Sequence, residues 1–591
     1  MKKQAAARKL STHAVRHMHY AGMALLLSAA FADARGQSTS IDANEQQRRR
    51  SQSEAVEREN QSQSPRVELR APQTTTDELE SLALPSESPC FKINSLLLEV
   101  PPHLSPALRQ AGASQLTFDP FRFAQQYLDQ YAGTCIGKEG LNLIVRRLTR
   151  LILIQGYSTT RIGIPEQELS SGTLTLALIP GIIRNIRFAD PEQRGTWVNA
   201  FPTGPGRLLN LRELEQGLEQ MKRVPSQDVS MEIVPGAVPG ESDVVIAVTR
   251  SKPWRLSTTL DDSGAKATGK LQGGLNLSID NPLGLNDLLN LSLNTDVDRR
   301  GGDRGTGGNS LYYGLPLGNW TLALSAGNYR YHQKVAGLYQ QFVASGNSRN
   351  LDLKIAHLFQ RDPSQKNSWQ FKVGKRLSSS FINSTEINVQ RRNTTYAELA
   401  WIHTHYFGPA QLDLTLANRW GTAWLGGQGE ADWRTENDPM HRYSLQSLDA
   451  NLVLPFSVAG QPLTYTGTLR AQTTRSRLYM SDMFAIGNRY TVRGFDGETM
   501  LAAERGFFLR NDLEAPIARS KHAVYAGLDV GKVYGPSVRY LLGDSLVGTT
   551  VGVRGRIGGM NYDLFSGWSL YKPQGMPNAS PAIGFQLSYQ Y

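Results

Sequence analysis

The final nine residues of the chain alternate without exception. Ile583, Phe585, Leu587, Tyr589 and Tyr591 are apolar or aromatic, whereas Gly584, Gln586, Ser588 and Gln590 are small or polar. A period of two gives an extended strand one greasy and one wet face. A chain that stops on an aromatic residue of the greasy face suits the closing strand of a β-barrel in an outer membrane. That reading sets the solvent, hydrocarbon outside and water inside, and with it most of what the chain can do.

The same period recurs upstream from about residue 256. Leu275, Leu277 and Ile279 alternate with Asn276, Ser278 and Asp280, and Leu289, Leu291 and Leu293 alternate with Asn290, Ser292 and Asn294. Leu322 and Leu324, then Leu351, Leu353 and Ile355, then Leu412, Leu414 and Leu416 repeat it. At roughly 20 residues per strand and connection, residues 252–591 hold about 16 antiparallel strands, an even number suited to a bacterial barrel. The barrel must close, because lipid cannot satisfy an open edge. A soluble β-sandwich or β-solenoid is the alternative. An export signal and a girdle-like set of aromatics (Tyr312, Tyr313, Trp320, Tyr329 and Tyr331) weigh against it.

The N-terminus supplies that signal. Lys2, Lys3, Arg8, Lys9 and Arg16 precede an apolar run over residues 21–32, which leads into Ala32-Asp33-Ala34. This is the layout of a cleaved secretory signal over residues 1–34. No uncharged apolar run approaches the ~20 residues of a spanning helix. Cys90 and Cys135 are the two cysteines of the chain. In an exported protein such a pair is expected to oxidise, and no partner ligands cluster near them for a metal. The net charge of +11 is spread along the chain rather than gathered with aromatics, which argues against nucleic acid as a partner.

Residues 35–60 are polar on nearly every side. Glu45 with Arg49 and Glu54 with Arg58 lie four apart, acid first, which supports a helix. Such a helix is either solvated or enclosed in a polar cavity, and disorder is the competing reading. Pro65, Pro72, Pro85 and Pro89 mark residues 61–89 as an extended linker. Two α+β units follow, over residues 90–180 and 181–251. In the first, residues 91–100, 159–164 and 173–179 read as strands and 121–131 and 141–154 as helices. In the second, residues 182–188, 229–234 and 242–249 read as strands and 211–222 as a helix.

The most specific string runs over residues 484–498 and contains Val492-Arg493-Gly494-Phe495. It resembles the tip of the sixth extracellular loop in the Omp85 superfamily of outer-membrane assembly and secretion proteins. Residues 506–513 resemble that superfamily's next strand, and Gly527-Leu528-Asp529-Val530-Gly531 resembles the strand whose Asp meets the loop Arg. An Arg folded into a barrel lumen needs an anionic partner in any case, and Asp529 lies on the wet face of its strand. Asp261-Asp262-Ser263-Gly264, residues 280–287 and residues 313–320 are similar to segments of two-partner secretion transporters, the haemolysin and filamentous-haemagglutinin exporters. Gly156-Tyr157-Ser158-Thr159-Thr160-Arg161 and Pro165-Glu166-Gln167 resemble their first POTRA domain, a periplasmic polypeptide-binding module.

The resemblance implies an outer-membrane translocator of a Gram-negative bacterium. Its POTRA modules would recognise an unfolded exported partner (an adhesin, haemolysin or toxin) and its barrel would pass it to the cell surface. Residues 35–60 would plug the lumen, and Arg493–Asp529 would pin the loop of residues 484–500 within it. A passenger groove is expected along Leu141, Val145, Leu148, Thr159 and Arg161. Phe585, Tyr589 and Tyr591 would form the membrane-insertion signal read by the barrel-assembly machinery, with Tyr591 where Phe is usual. The lipid bilayer is the other partner. An assembly factor of the same superfamily is the alternative and would carry more POTRA modules. No Walker A, HExxH or Gly-x-Ser-x-Gly string occurs, so neither enzyme chemistry nor a cofactor or metal is expected.

Overall fold

The computed structural model describes residues 82–112, 119–298, 304–336, 341–432, 434–518 and 520–591. The expected signal sequence, the polar helix of residues 35–60 and most of the linker lie outside the described residues.

The first α+β unit has more elements than its sequence suggests. Residues 91–100 form two strands rather than one, Phe91–Ile93 and Ser95–Glu99, with Asn94 between them. The former pairs with Thr134–Ile136 and the latter runs parallel to Thr173–Ile179. The chain therefore changes sheet within a run of uniform propensity. The strand expected at 159–164 is only Arg161–Gly163. The expected helix starts earlier, at Lys138, and runs to Ile154. A distant carboxylate caps it: Glu87 accepts the N–H groups of Glu139 (2.7 Å) and Gly140 (2.6 Å). Those are donors a helix start leaves unpaired, at its positive end. Ile144, Leu148 and Ile152 of this helix pack on Leu174, Leu176 and Leu178 of the central strand. Cys90 and Cys135 are joined in a disulfide beside the small strand pair.

In the second unit, strands Ile182–Phe188 and Gln227–Pro235 flank Glu241–Arg250. Helix Leu211–Lys222 covers the sheet, capped by the Asn210 side chain, which accepts Arg212 N–H at 2.8 Å. Leu214, Leu218 and Met221 enter its core. The opposite, polar face of the helix is buried too, against the rim of the barrel. Glu219 meets Arg361 (2.8 Å) and Lys366 (2.6 Å), Arg361 also reaches Glu215 (3.3 Å), and Gln220 donates to the Gly318 carbonyl (2.9 Å). Burial pushes the Glu219 carboxyl up, but hydrogen bonds from Arg361 and the charge of Lys366 outweigh it and hold the group below the usual range. A carboxyl lowered in the folded state stabilises above its unfolded value and loses that contribution as pH falls through the folded one. Hydrogen exchange of residues 211–222 is therefore expected to be slow at pH 7 and to accelerate, after correction for intrinsic rates, below about pH 4. Protection unchanged down to pH 3 would show that these charges do not hold the rim.

Among the described residues, sixteen antiparallel strands close the barrel. They are Trp254–Asp261, Gln272–Asp280, Leu288–Asp296, Arg304–Leu317, Trp320–Ala336, Gln341–Arg361, Gln365–Ile382, Arg392–Phe407, Ala410–Thr422, Ser444–Val458, Gln461–Thr474, Arg505–Pro516, His522–Tyr534, Ser545–Ile557, Met560–Tyr571 and Ala582–Gln590. The last pairs with the first, from Gln586↔Asp261 to Gln590↔Ser257. Outward positions carry Leu275, Leu293, Leu351, Leu353, Leu416 and Ile583, apolar side chains that only a lipid surround tolerates in such number. The interior holds a cavity of roughly 1620 Å³ whose wall includes Ser325, Asn350, Lys372, Glu398 and Arg419.

The expected girdle divides. Trp320 faces outward and stacks on His357 at 4.2 Å. Tyr312, Tyr329 and Tyr331 instead border the inner cavity. Tyr313 pairs opposite the exposed Leu324, and its hydroxyl donates to Asp287 at 3.0 Å. Alternation fixes that neighbours face opposite ways; it does not say which of two aromatic neighbours faces lipid.

Candidate functional site

Between strands Gln461–Thr474 and Arg505–Pro516 the chain folds back into the barrel. Phe484–Ile486 and Leu501–Ala503 pair as a short hairpin, and the residues between them form a tip lying on the inner wall. Asn488 and Thr491 shape the turn: the Thr491 hydroxyl accepts Gly487 N–H (3.0 Å) and Asn488 Oδ1 accepts Tyr490 N–H (2.8 Å). Val492 and Phe495 are buried with Ile486, Leu501, Val533 and Leu546.

Arg493 is the centre of the tip. Its Nε and Nη2 donate to Asp529 Oδ2 and Oδ1, each at 2.7 Å, and its backbone N–H donates to Oδ2 at 2.9 Å. Nη1 donates to Asp512 Oδ1 at 2.5 Å and Nη2 reaches the Asn511 carbonyl at 3.3 Å. Arg493 is 5% exposed and Asp529 0%. Burying both charges is expensive, and the fork geometry with nearly every donor paired is what makes such a pair tolerable.

Glycines make the close approach possible. A Cβ on Gly527 would lie 2.4 Å from Arg493 Nη2, and one on Gly531 2.7 Å from Val492 Cγ2. On the next two strands, a Cβ at Gly548 would fall 1.7 Å from the Arg493 carbonyl oxygen and one at Gly567 2.8 Å from Gly494 N. Gly494 itself has φ +91° and lies against the backbone of Trp568, so no other residue suits the tip. Sequence reasoning did not single out Asp512, Gly548 or Gly567. Asp512 stood inside the recognised strand segment; Gly548 is followed at the same spacing by Gly552, and nothing in the sequence says which one a loop will touch.

The other expected site residues lie apart. Tyr589 and Tyr591 face outward, with Lys252 Nζ 3.8 Å from the Tyr591 ring and 3.5 Å from that of Trp254. Phe585 donates its N–H to Asp262 at 2.9 Å. In the expected groove, Leu141 and Val145 are half-buried against the first unit's core and Arg161 is exposed. Leu148 is 0% exposed, because the helix turns it onto the sheet, so it is a core residue and not part of an open groove. Thr159 abuts Gly181, where a Cβ would come within 1.9 Å of its hydroxyl, and so sits at the junction between the units rather than in a groove. Among the described residues no group of His, Cys, Asp or Glu is placed to hold a metal.

Residues 240–555 match the family described as haemolysin secretion/activation protein ShlB/FhaC/HecB, residues 109–181 a ShlB-type POTRA domain and residues 182–235 a POTRA domain. The outer membrane transporter CdiB-2 of Burkholderia pseudomallei is 47% identical over 512 residues, 86% of this chain and 88% of its own. The chain belongs to the ShlB/FhaC/HecB family. The hemolysin transporter protein ShlB of Serratia marcescens is 26% identical over 76% of this chain and 77% of its own. The solved structure of CdiB from Acinetobacter baumannii superposes with a TM-score of 0.79 at 26% identity, covering 93% of this chain and 99% of that one. As a ShlB/FhaC/HecB transporter, the protein is an outer-membrane β-barrel with POTRA modules that serves two-partner secretion of exoproteins.

Proposed function

We propose that the two POTRA modules capture one unfolded exported partner in the periplasm, and that the barrel passes it outward when residues 35–60 and the Arg493 loop leave the bore. The partner is an adhesin, haemolysin or toxin; the surrounding bilayer and the barrel-assembly machinery that reads the terminal strand complete the set. The observation that carries this is the tip loop itself. It lies on the inner wall and borders the bore, held by ion pairs of Arg493 and Arg489, by hydrogen bonds and by close packing, all non-covalent contacts, so it can be displaced. Sheet edges in the POTRA units suit capture, because an extended chain can add to them as a further strand. Half-buried Leu141 and Val145 and exposed Arg161 border the nearest such edge. The assembly-factor alternative has no observation in its favour among the described residues.

Deleting the chain and comparing surface and medium proteins tests this. One exoprotein should be missing outside and retained in the periplasm, and the intact chain should restore it. A general loss of outer-membrane barrels with exoproteins unchanged would point to the assembly factor instead.

A further inference from the structure

The first and last strands of the wall meet in a short pairing of five residue pairs, against eight for the pairings on either side. Strand Trp254–Asp261 stops while its partner Ala582–Gln590 runs on toward the cell surface. The next backbone groups of the longer strand, the N–H and C=O of Phe585, therefore have no strand opposite. Two side chains take its place. Asp262 Oδ1 accepts the Phe585 N–H at 2.9 Å, Arg489 Nη1 donates to the Phe585 carbonyl at 3.4 Å, and Arg489 Nη2 bonds Asp262 Oδ1. A Cβ on Gly584 would lie 2.6 Å from Arg489 Nη2, so glycine there leaves the space. Arg489 belongs to the tip loop. The same loop holds both flanks of this seam: Glu498 accepts Lys266 N–H at 2.9 Å on the first extracellular loop, and Asp496 accepts Ala579 N–H at 3.0 Å on the last.

We propose that Arg489 and Asp262 are positioning residues that supply a side-chain rung to the closing seam, so that docking of the tip loop and full closure of the barrel are one coupled event. When the loop withdraws, the seam loses its outermost rung and loosens from the cell-surface end. The inference rests on the reading that the loop moves during export, and extends it from clearing the bore to relaxing the wall.

The test uses the full-length protein in lipid nanodiscs, with nitroxide labels replacing Leu260 and Leu587, which face each other across the seam. With the native loop, one narrow distance is expected. Arg489→Gln should add a second population, longer by about one strand spacing of 4.8 Å. Asp262→Asn, which keeps its size and serves if the first variant inserts poorly, should do the same. The reversed pair Arg489→Asp with Asp262→Arg still offers Phe585 one acceptor and one donor and should restore the single distance. A single narrow distance in Arg489→Gln and Asp262→Asn alike would overturn the proposal. The readout is wall geometry and not export. Normal export by Arg493→Ala beside a broadened seam in Arg489→Gln would therefore sink the transport reading of the loop and spare this one.

Discussion

Replacing Arg493 or Asp529 with alanine is expected to stop most export while leaving the barrel folded in the membrane. Either change removes one side of a buried pair whose geometry satisfies three hydrogen bonds between the two residues. Removing one partner of such a buried pair costs about 3–5 kcal/mol, and the Arg493–Asp512 contact that persists in Asp529→Ala puts that variant at the lower end. That shifts the balance between docked and undocked loop by about two to three and a half orders of magnitude, at about 1.4 kcal/mol per tenfold. An unanchored tip then wanders in the bore, and the cycle loses its defined resting state. The barrel stays folded because backbone pairing joins its sixteen strands, and release of the tip touches no more than the outermost rung of one seam. Arg493→Lys should resemble alanine more than the native residue, since an ammonium cannot span both Asp529 oxygens and Asp512 as the planar fork does. Exoprotein in the medium and the heat-dependent gel mobility of the barrel report the two halves of the prediction. Native export by both alanine variants would show that the contact is ornamental.

A methyl group at Gly548 should produce the same phenotype with every charge in place. The added carbon would sit 1.7 Å from the Arg493 carbonyl oxygen, a separation that no rotamer change relieves because both atoms are fixed to backbone. The loop must lift off the wall, and Arg493 then loses its hold on Asp529. Gly548→Ala is therefore expected to cut export about as far as Asp529→Ala does, on the order of a hundredfold. Gly429→Ala is the control, since a Cβ there meets nothing within 4 Å. Combining Gly548→Ala with Asp529→Ala should cost little more than either alone, as residues acting on one contact are not additive. Additive losses would mean that Gly548 acts elsewhere.

The barrel was readable because the period-two pattern is a direct consequence of a wall with lipid on one side and water on the other. Leu289, Leu291 and Leu293 mark a strand with one greasy face, and the export signal decides between lipid and a soluble core. The central helix of the first unit was readable from its apolar stripe, but its first turn was not, because the cap comes from Glu87, outside the local window. Leu148 shows the limit of a stripe: the pattern marks an apolar face, and only the fold tells whether that face meets a core or a partner. At the loop, the resemblance named Arg493 and Asp529 and the structure brings them together. The glycines of the neighbouring strands and the Arg489–Asp262 rung were illegible, since they depend on which strands lie beside the tip in space.

The central claim is that the exported partner travels through the bore past the displaced loop. Photo-crosslinking residues placed at Ser325 or Ser447, on the inner wall, and at Leu351 or Leu416, on the lipid face, test it during active export. The account predicts adducts with the partner from the two inner positions and none from the outer pair. Adducts from the outer pair alone, or none from the inner wall while export proceeds, would contradict it.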